Sequence, residues 1–249
     1  MRYALELAYE GTRYYGWQSQ SVGNTVQQAI EEALEKVTRQ YLPVMGCGRT
    51  DTGVHAKNYF LHFDWDAQPD ERFIFRLNNA LPRDIAVYRI FPVTDKFHAR
   101  FSAVSRKYEY HIITQPDPFS RDWAYFRYGE LNLEKMDEAC QYLLTCRDFK
   151  SFSKSRTDVK TYNCDLMECR WEKSSDRLIF HVRADRFLRN MVRAMVGTML
   201  DIGSGKLTLS ELPELMQAGD RSNAGTSVPA KGLYLTEVNY PWDKFLRDE

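Results

Sequence analysis

The sequence predicts an α+β fold of two split βαβ, ferredoxin-like halves, with mainly antiparallel sheets meeting at a central catalytic cleft. Three observations lead there. Apolar residues alternate with period two at Tyr3-Leu5-Leu7-Tyr9 and at Tyr108-Tyr110-Ile112, as strands with one buried face do. Stripes at helical spacing lie between such runs, as in Val26, Ile30, Ala33 and Leu34. The first half then reads strand, helix, strand, strand, helix, strand, and the second repeats it in outline without a residue-level repeat.

Taken in order, the first strand ends at Gly11-Thr12, and Arg13-Tyr14-Tyr15-Gly16-Trp17 follows as a turn rich in aromatics. It reads as a turn packed on the core or as a rim that stacks on bases. Thr25-x-x-Gln28 is a capping box that opens the first helix. Strand-like Leu42–Met45 and Asn58–Asp64 flank a glycine-rich loop, a helix runs from about Asp70 to Leu81-Pro82, and Ile85–Ile90 is a further strand. The boundary is placed at residue 103, giving domains 1–103 and 104–249.

In the second half, Ser105–Ile112 is a strand and Asn132 caps a helix carrying Met136, Ala139, Cys140, Leu143 and Leu144 inward. Ser151–Thr161 is polar, basic and aperiodic, the best candidate for a mobile loop. Cys164–Trp171 and Leu178–Val182 form a hairpin through the turn at Lys173–Asp176. A long helix is expected from about Arg186 to Ile202, with Arg186, Arg189 and Arg193 at helical spacing. Gly197, one turn on, would admit another backbone beside Arg193. A last helix, Leu209–Ala218, precedes a closing strand at Tyr234–Val238.

Composition narrows the class. The 249 residues suit one large or two modest domains, and 43% hydrophobic with 14% aromatic content supports a packed core rather than disorder. Lys+Arg and Asp+Glu both number 34, so global charge does not announce a nucleic-acid partner and only local clustering could. Five cysteines with no C-x-x-C pair argue against zinc and thioredoxin-type redox chemistry. With no apolar signal region and no long uncharged apolar run, the expected location is the cytoplasm, without a membrane partner.

Chemistry concentrates in Gly46-Cys47-Gly48-Arg49-Thr50-Asp51-Thr52-Gly53-Val54-His55-Ala56. Loops held by rigid elements are where catalytic groups gather, and Asp51 is the one carboxylate in this loop. Beside Arg49 it could be a nucleophile, a metal ligand, a general base or half of a structural ion pair. No second acidic residue in the loop supports a metal or a carboxylate pair. His55 reads as a base or as a hydrogen-bonded structural residue, and Cys47 as buried. Gly46-x-Gly48 lacks the spacing of a phosphate cradle, and Gly203-Ser204-Gly205 that of a nucleophile elbow. Basic residues cluster from Arg100 and Arg106 to Arg186, Arg189 and Arg193, and the interleaved aromatics suit phosphate contact with base stacking.

The run Gly48-Arg49-Thr50-Asp51-Thr52-Gly53-Val54-His55-Ala56 resembles the catalytic motif of the tRNA pseudouridine synthase A family. Tyr9-Glu10-Gly11-Thr12-x-Tyr14-Tyr15-Gly16-Trp17-Gln18, Phe97 to Ala103, Arg106-Lys107-Tyr108-x-Tyr110, Phe187-Leu188-x-x-Met191-Val192-Arg193 and Gly232-Leu233-Tyr234-Leu235 agree in order. The family often has Ala where this chain has Thr52, a small change. The resemblance implies an isomerase without cofactor that turns uridine into pseudouridine in the tRNA anticodon stem-loop, by flipping the base and using Asp51 as nucleophile. Whether Asp51 attacks C1′, attacks the ring or takes a proton stays open. Tyr108 would pack on the flipped base and Arg193 would pair with Asp51, with Arg49, His55 and Leu233 also at the substrate. Arg13, Tyr15, Trp17, Arg100, Arg106, Arg186 and Arg189 are the RNA-contact candidates. A homodimer with one tRNA touching both subunits is implied too. The competing classes are a non-catalytic RNA-binding protein and a hydrolase using Asp51 with a metal or second carboxylate. A chelator should stop a nuclease and spare an isomerase.

Overall fold

A computed structural model describes residues 1–154, 159–174 and 177–247. Among them, in chain order, are β1 (Arg2–Tyr9), α1 (Val26–Thr38), β2 (Met45–Gly46), β3 (His55–Asp64), α2 (Phe73–Ala80) and β4 (Ile85–Val93). Then come β5 (Ser105–Ile113), β6 (Tyr125–Phe126), α3 (Leu133–Thr145), β7 (Leu166–Lys173), β8 (Arg177–Ala184), α4 (Met191–Gly203), α5 (Leu212–Ala218) and β9 (Leu233–Asn239). The chain is mixed α+β with mainly antiparallel pairing, in two compact units: Met1–Ser105 with Tyr234–Glu249, and Arg106–Leu233.

In the first unit β1 is central, antiparallel to β4 on one side and β3 on the other. The far edge of β3 is shared. β2 pairs antiparallel there at Met45↔His62, and β9 pairs in parallel at His55↔Tyr234. A strand flanked on both sides needs apolar side chains, and Tyr3, Ala4, Leu5, Leu7 and Tyr9 of β1 are all buried. Fully burying one such Leu stabilises by about 2 kcal/mol. The Thr25 hydroxyl caps α1 by accepting the Gln28 N–H at 3.3 Å, while the Gln28 amide turns to Glu32, so only half of the expected capping box forms.

In the second unit β8 is central, antiparallel to β5 (Tyr108↔Val182) and β7 (Trp171↔Phe180), and β6 extends β5 in parallel. Asn132 caps α3 by accepting from the Lys135 N–H at 3.0 Å. α3 buries Met136, Ala139, Cys140 and Leu143, and α4 contributes Met191, Met195 and Met199 to the same core. Trp171 Nε1 lies 3.2 Å from the Met199 sulfur.

Several boundaries differ from the sequence reading. α4 begins at Met191, because Asn190 takes a left-handed conformation (φ 66°) that a continuing helix cannot contain. Arg186 and Arg189 therefore do not share a helix with Arg193. α2 begins at Phe73 because Asp70 instead organises a turn, its carboxylate accepting the Arg72 N–H at 2.9 Å. The last helix is a 3-10 turn, Leu209–Glu211, followed by α5, which opens beside a proline that has no N–H to give. Of the expected loop from Ser151, the first residues are packed: the Ser151 hydroxyl donates to the Leu215 carbonyl at 2.7 Å. Its middle (155–158, with Arg156) and the tip of the β7–β8 turn (175–176) lie outside the described residues.

His62, buried on β3, accepts the Ala99 N–H on Nδ1 at 3.1 Å. Burial, then the charges of Arg2 and His98, lowers its pKa from 6.5 to about 4, against a smaller opposing pull from the Met45 backbone. A depressed imidazole pKa means the native state keeps it neutral. The resulting stability is complete above pH 6.5 and is lost as the pH falls towards 4. We expect the Tm to decline across that window, on the order of 3 kcal/mol being at stake. His62→Gln should lower the Tm at pH 8 and flatten the decline, as followed by circular dichroism melts.

Candidate active site

The Asp51 loop joins β2 to β3, and its backbone is fixed at nearly every residue. The Cys47 N–H donates to the Phe60 carbonyl at 2.8 Å. The Trp17 N–H donates to the Thr50 carbonyl at 3.2 Å, and the Gly53 N–H donates to the Tyr14 carbonyl at 3.3 Å. A turn closes on Asp51 itself, whose carbonyl accepts the Val54 N–H at 3.1 Å. Gly53 takes φ 78°, a left-handed value that favours glycine. Cys47, Thr50 and Val54 are buried, Asp51 is half-buried, and Arg49 and Thr52 are exposed.

Residues 11–17 clamp that loop from the side. Gly16 (φ 91°) lies so close that a Cβ would strike the Thr50 carbonyl oxygen, and a Cβ at Gly11 would strike that of Val54. The Gly11 N–H donates to His55 Nδ1 at 3.0 Å, so in the neutral ring the proton sits on Nε2. His55 is 2% exposed and stacks on Tyr234 with centroids 4.6 Å apart.

This corrects two expectations. His55 is not an open side chain: its ring is buried, stacks on Tyr234 of β9 and accepts the Gly11 N–H, which holds the end of the loop in place. Trp17 is not a base-stacking residue at the surface. It is 3% exposed and packs face-on against Tyr59. The aromatic turn thus divides by residue. Tyr14 and Trp17 are buried, whereas Arg13 and Tyr15 are exposed. Arg13 Nε donates to Asp84 at 2.8 Å, as does the Tyr14 hydroxyl at 2.6 Å, which ties the turn to the start of β4. Arg100 is exposed, its guanidinium 5.4 Å from the Phe101 ring.

The other residues singled out in the sequence belong to the second unit. Tyr108 is half-buried on β5, edge-on to Phe187 with centroids 5.1 Å apart. Arg193 sits in the first turn of α4. Its Nε donates to the Val228 carbonyl at 2.7 Å, and the Val228 N–H returns a bond to the Arg193 carbonyl at 3.2 Å. The expected close backbone beside Gly197 is Gly225-Thr226, whose approach leaves no room for a Cβ on either glycine. The segment 225–229 that orients Arg193 was missed in the sequence, where only Gly197 asked for such a neighbour. Leu233, at 6% exposure, is buried. Arg106 donates to the Asp185 carbonyl at 2.9 Å, Arg186 is half-buried, and Arg189 is exposed. Among the described residues, no three His, Cys, Asp or Glu side chains gather as metal ligands, and no helix is long and apolar enough to cross a membrane.

A glycine-clamped loop offering one carboxylate, with Arg13, Tyr14, Tyr15 and Trp17 on the segment that clamps it, suits an enzyme acting on RNA. The chain belongs to the tRNA pseudouridine synthase family, whose model matches residues 7–102 and 139–241. Asp51 and Arg193 fall inside the matched residues and Tyr108 outside them. It is 49% identical to tRNA pseudouridine synthase A of Parabacteroides distasonis, over 98% of each chain. The enzyme of the same name from Bacteroides thetaiotaomicron is 46% identical, over 98% of this chain and 92% of the relative. That of Bacillus subtilis is 40% identical, over 96% and 99%.

Gly16→Ala tests the clamp. The added methyl meets a backbone carbonyl and forces a left-handed conformation on alanine, so we expect a loss of about 2–4 kcal/mol in urea unfolding.

Proposed function

We propose that this chain isomerises uridine to pseudouridine in the tRNA anticodon stem-loop, with Asp51 as the nucleophile. The carrying observation is Asp51 itself, a half-buried carboxylate on a loop whose backbone is pinned on both sides of it. A pinned carboxylate loses little entropy on reaching its target, which is where much of an enzyme's advantage arises.

The reaction needs one bond broken and one made. The N1–C1′ bond of the uridine cleaves, the uracil turns, C5 bonds to C1′, and the C5 proton leaves as N1 gains one. Nothing is oxidised or reduced, which agrees with a reaction run without a cofactor. C1′ lies inside a stacked stem, so the nucleotide must be extruded and its base held on an aromatic face. Tyr108 takes that role. Arg193, oriented through Val228, is the cation we assign to the Asp51 carboxylate. Arg49 meets RNA, together with Arg13, Tyr15, Arg100, Arg106, Arg186 and Arg189, while Leu233 lines the base pocket. Each half is a variation on the split βαβ plan. The acting form is a cytoplasmic homodimer, with one tRNA contacting both subunits.

Asp51→Asn should abolish tritium release from tRNA labelled at uridine C5 while leaving tRNA binding in filter assays unchanged. Turnover by that variant would remove Asp51 from the reaction. Arg193→Lys should lower the rate at least tenfold, because an ammonium offers no planar fork. Mapping pseudouridine in tRNA after incubation with the wild-type protein identifies the uridine modified, and a site outside the anticodon stem-loop would overturn that assignment.

A further inference from the structure

Beneath the Asp51 loop lie three buried rings, and two of them reach it through a hydroxyl. Tyr59 Oη donates to the Gly48 carbonyl at 2.5 Å. Tyr9 Oη and Thr50 Oγ1 share a hydrogen bond of 2.8 Å. Tyr59 is 0% exposed, Trp17 3% and Tyr9 4%. Trp17 stacks on Tyr59 at 4.1 Å and Tyr9 meets Tyr59 edge-on at 5.5 Å, so the rings fix one another. The chain passes flat above them at Gly46, where a Cβ would strike both Tyr59 Oη and the Trp17 indole. Burial pushes the Tyr59 phenol well above its ordinary pKa, so it stays a donor.

We infer that the hydroxyls of Tyr9 and Tyr59 are positioning groups for the reaction: they hold residues 48 and 50 and so set where the Asp51 carboxylate stands. Packing alone does not call for them, because phenylalanine would fill the same space without a polar atom to satisfy. Their bonds go to the loop, one on each side of Arg49. The backbone clamp from residues 14–17 fixes the loop at residues 50 and 53, whereas the two phenols fix its approach. Both rings bear on the loop within the first unit, and both are buried beneath it. This inference rests on Asp51 being the reacting group.

The test uses Tyr59→Phe, Tyr9→Phe and Thr50→Val in the full-length protein, assayed by tritium release under single-turnover and steady-state conditions. A displaced nucleophile slows the bond-making step and leaves RNA binding alone, and small misplacements cost much. We expect kcat to fall about tenfold or more with KM and tRNA binding within about twofold. Tyr9→Phe combined with Thr50→Val should be no slower than either alone, since both remove one bond. A wild-type kcat in the Phe variants, or equal losses in rate and binding, would overturn the inference. If Tyr59→Phe melts below the assay temperature, the Tyr9 and Thr50 variants decide by the same criteria. Asp51→Asn separates the two levels. If it turns over, the nucleophile reading fails. If it is inactive while the Phe variants run at full rate, only the positioning role fails.

Discussion

The structure depends on the contact between residues 11–17 and the loop 46–56. Two backbone hydrogen bonds run across it, from Trp17 to Thr50 and from Gly53 to Tyr14. Neither involves a side chain, so sequence identity matters chiefly through the space that must stay empty. Gly11 and Gly16 supply that space, each facing a carbonyl oxygen of the loop. A left-handed glycine is costly to order, and the cost is recovered because one segment satisfies the polar backbone of the other. His55 closes the same contact from its far end by accepting the Gly11 N–H.

The second unit solves a similar problem with other means. An arginine that must act on one group needs its remaining freedom removed, since its side chain carries several rotatable bonds. Val228 does this by accepting from Nε. It can do so only because 225–229 runs hard against α4, which in turn requires glycine at both 197 and 225. Asn190 contributes from the start of the helix, its amide donating to the Ser227 hydroxyl at 2.5 Å. A helix carried back to Arg186 could not contain the left-handed Asn190 from which this bond is made.

What could be read from the sequence follows from how local the cause is. Period-two alternation placed β1 and β5, and the caps at Thr25 and Asn132 placed α1 and α3, because each signal lies within its own element. The Asp51 loop was legible because three glycines and one carboxylate stand in eleven residues. The parallel seating of β9 beside β3 was not, since nothing in Tyr234–Val238 names its neighbour. His55 and Trp17 were misplaced for one reason: both types carry polar atoms and aromatic faces that serve a core as well as a ligand. Only the partners decide, namely the Gly11 N–H for one and the Tyr59 ring for the other.

Zero net charge is compatible with an RNA substrate if exposed basic side chains are unevenly placed. On the second unit's sheet, Glu168 meets Lys107 at 3.0 Å and Arg170 at 3.0 Å, and Arg170 also meets Glu172 at 2.9 Å. Neighbouring strands thus balance their own charge and offer little attraction to phosphate. Arg49, Arg100 and Arg189 are exposed and sit on loops. Phosphate binding grows with the number of cations that release counterions, not with the protein's total charge. Exposed loop arginines can therefore serve an RNA substrate in a chain whose charges sum to zero.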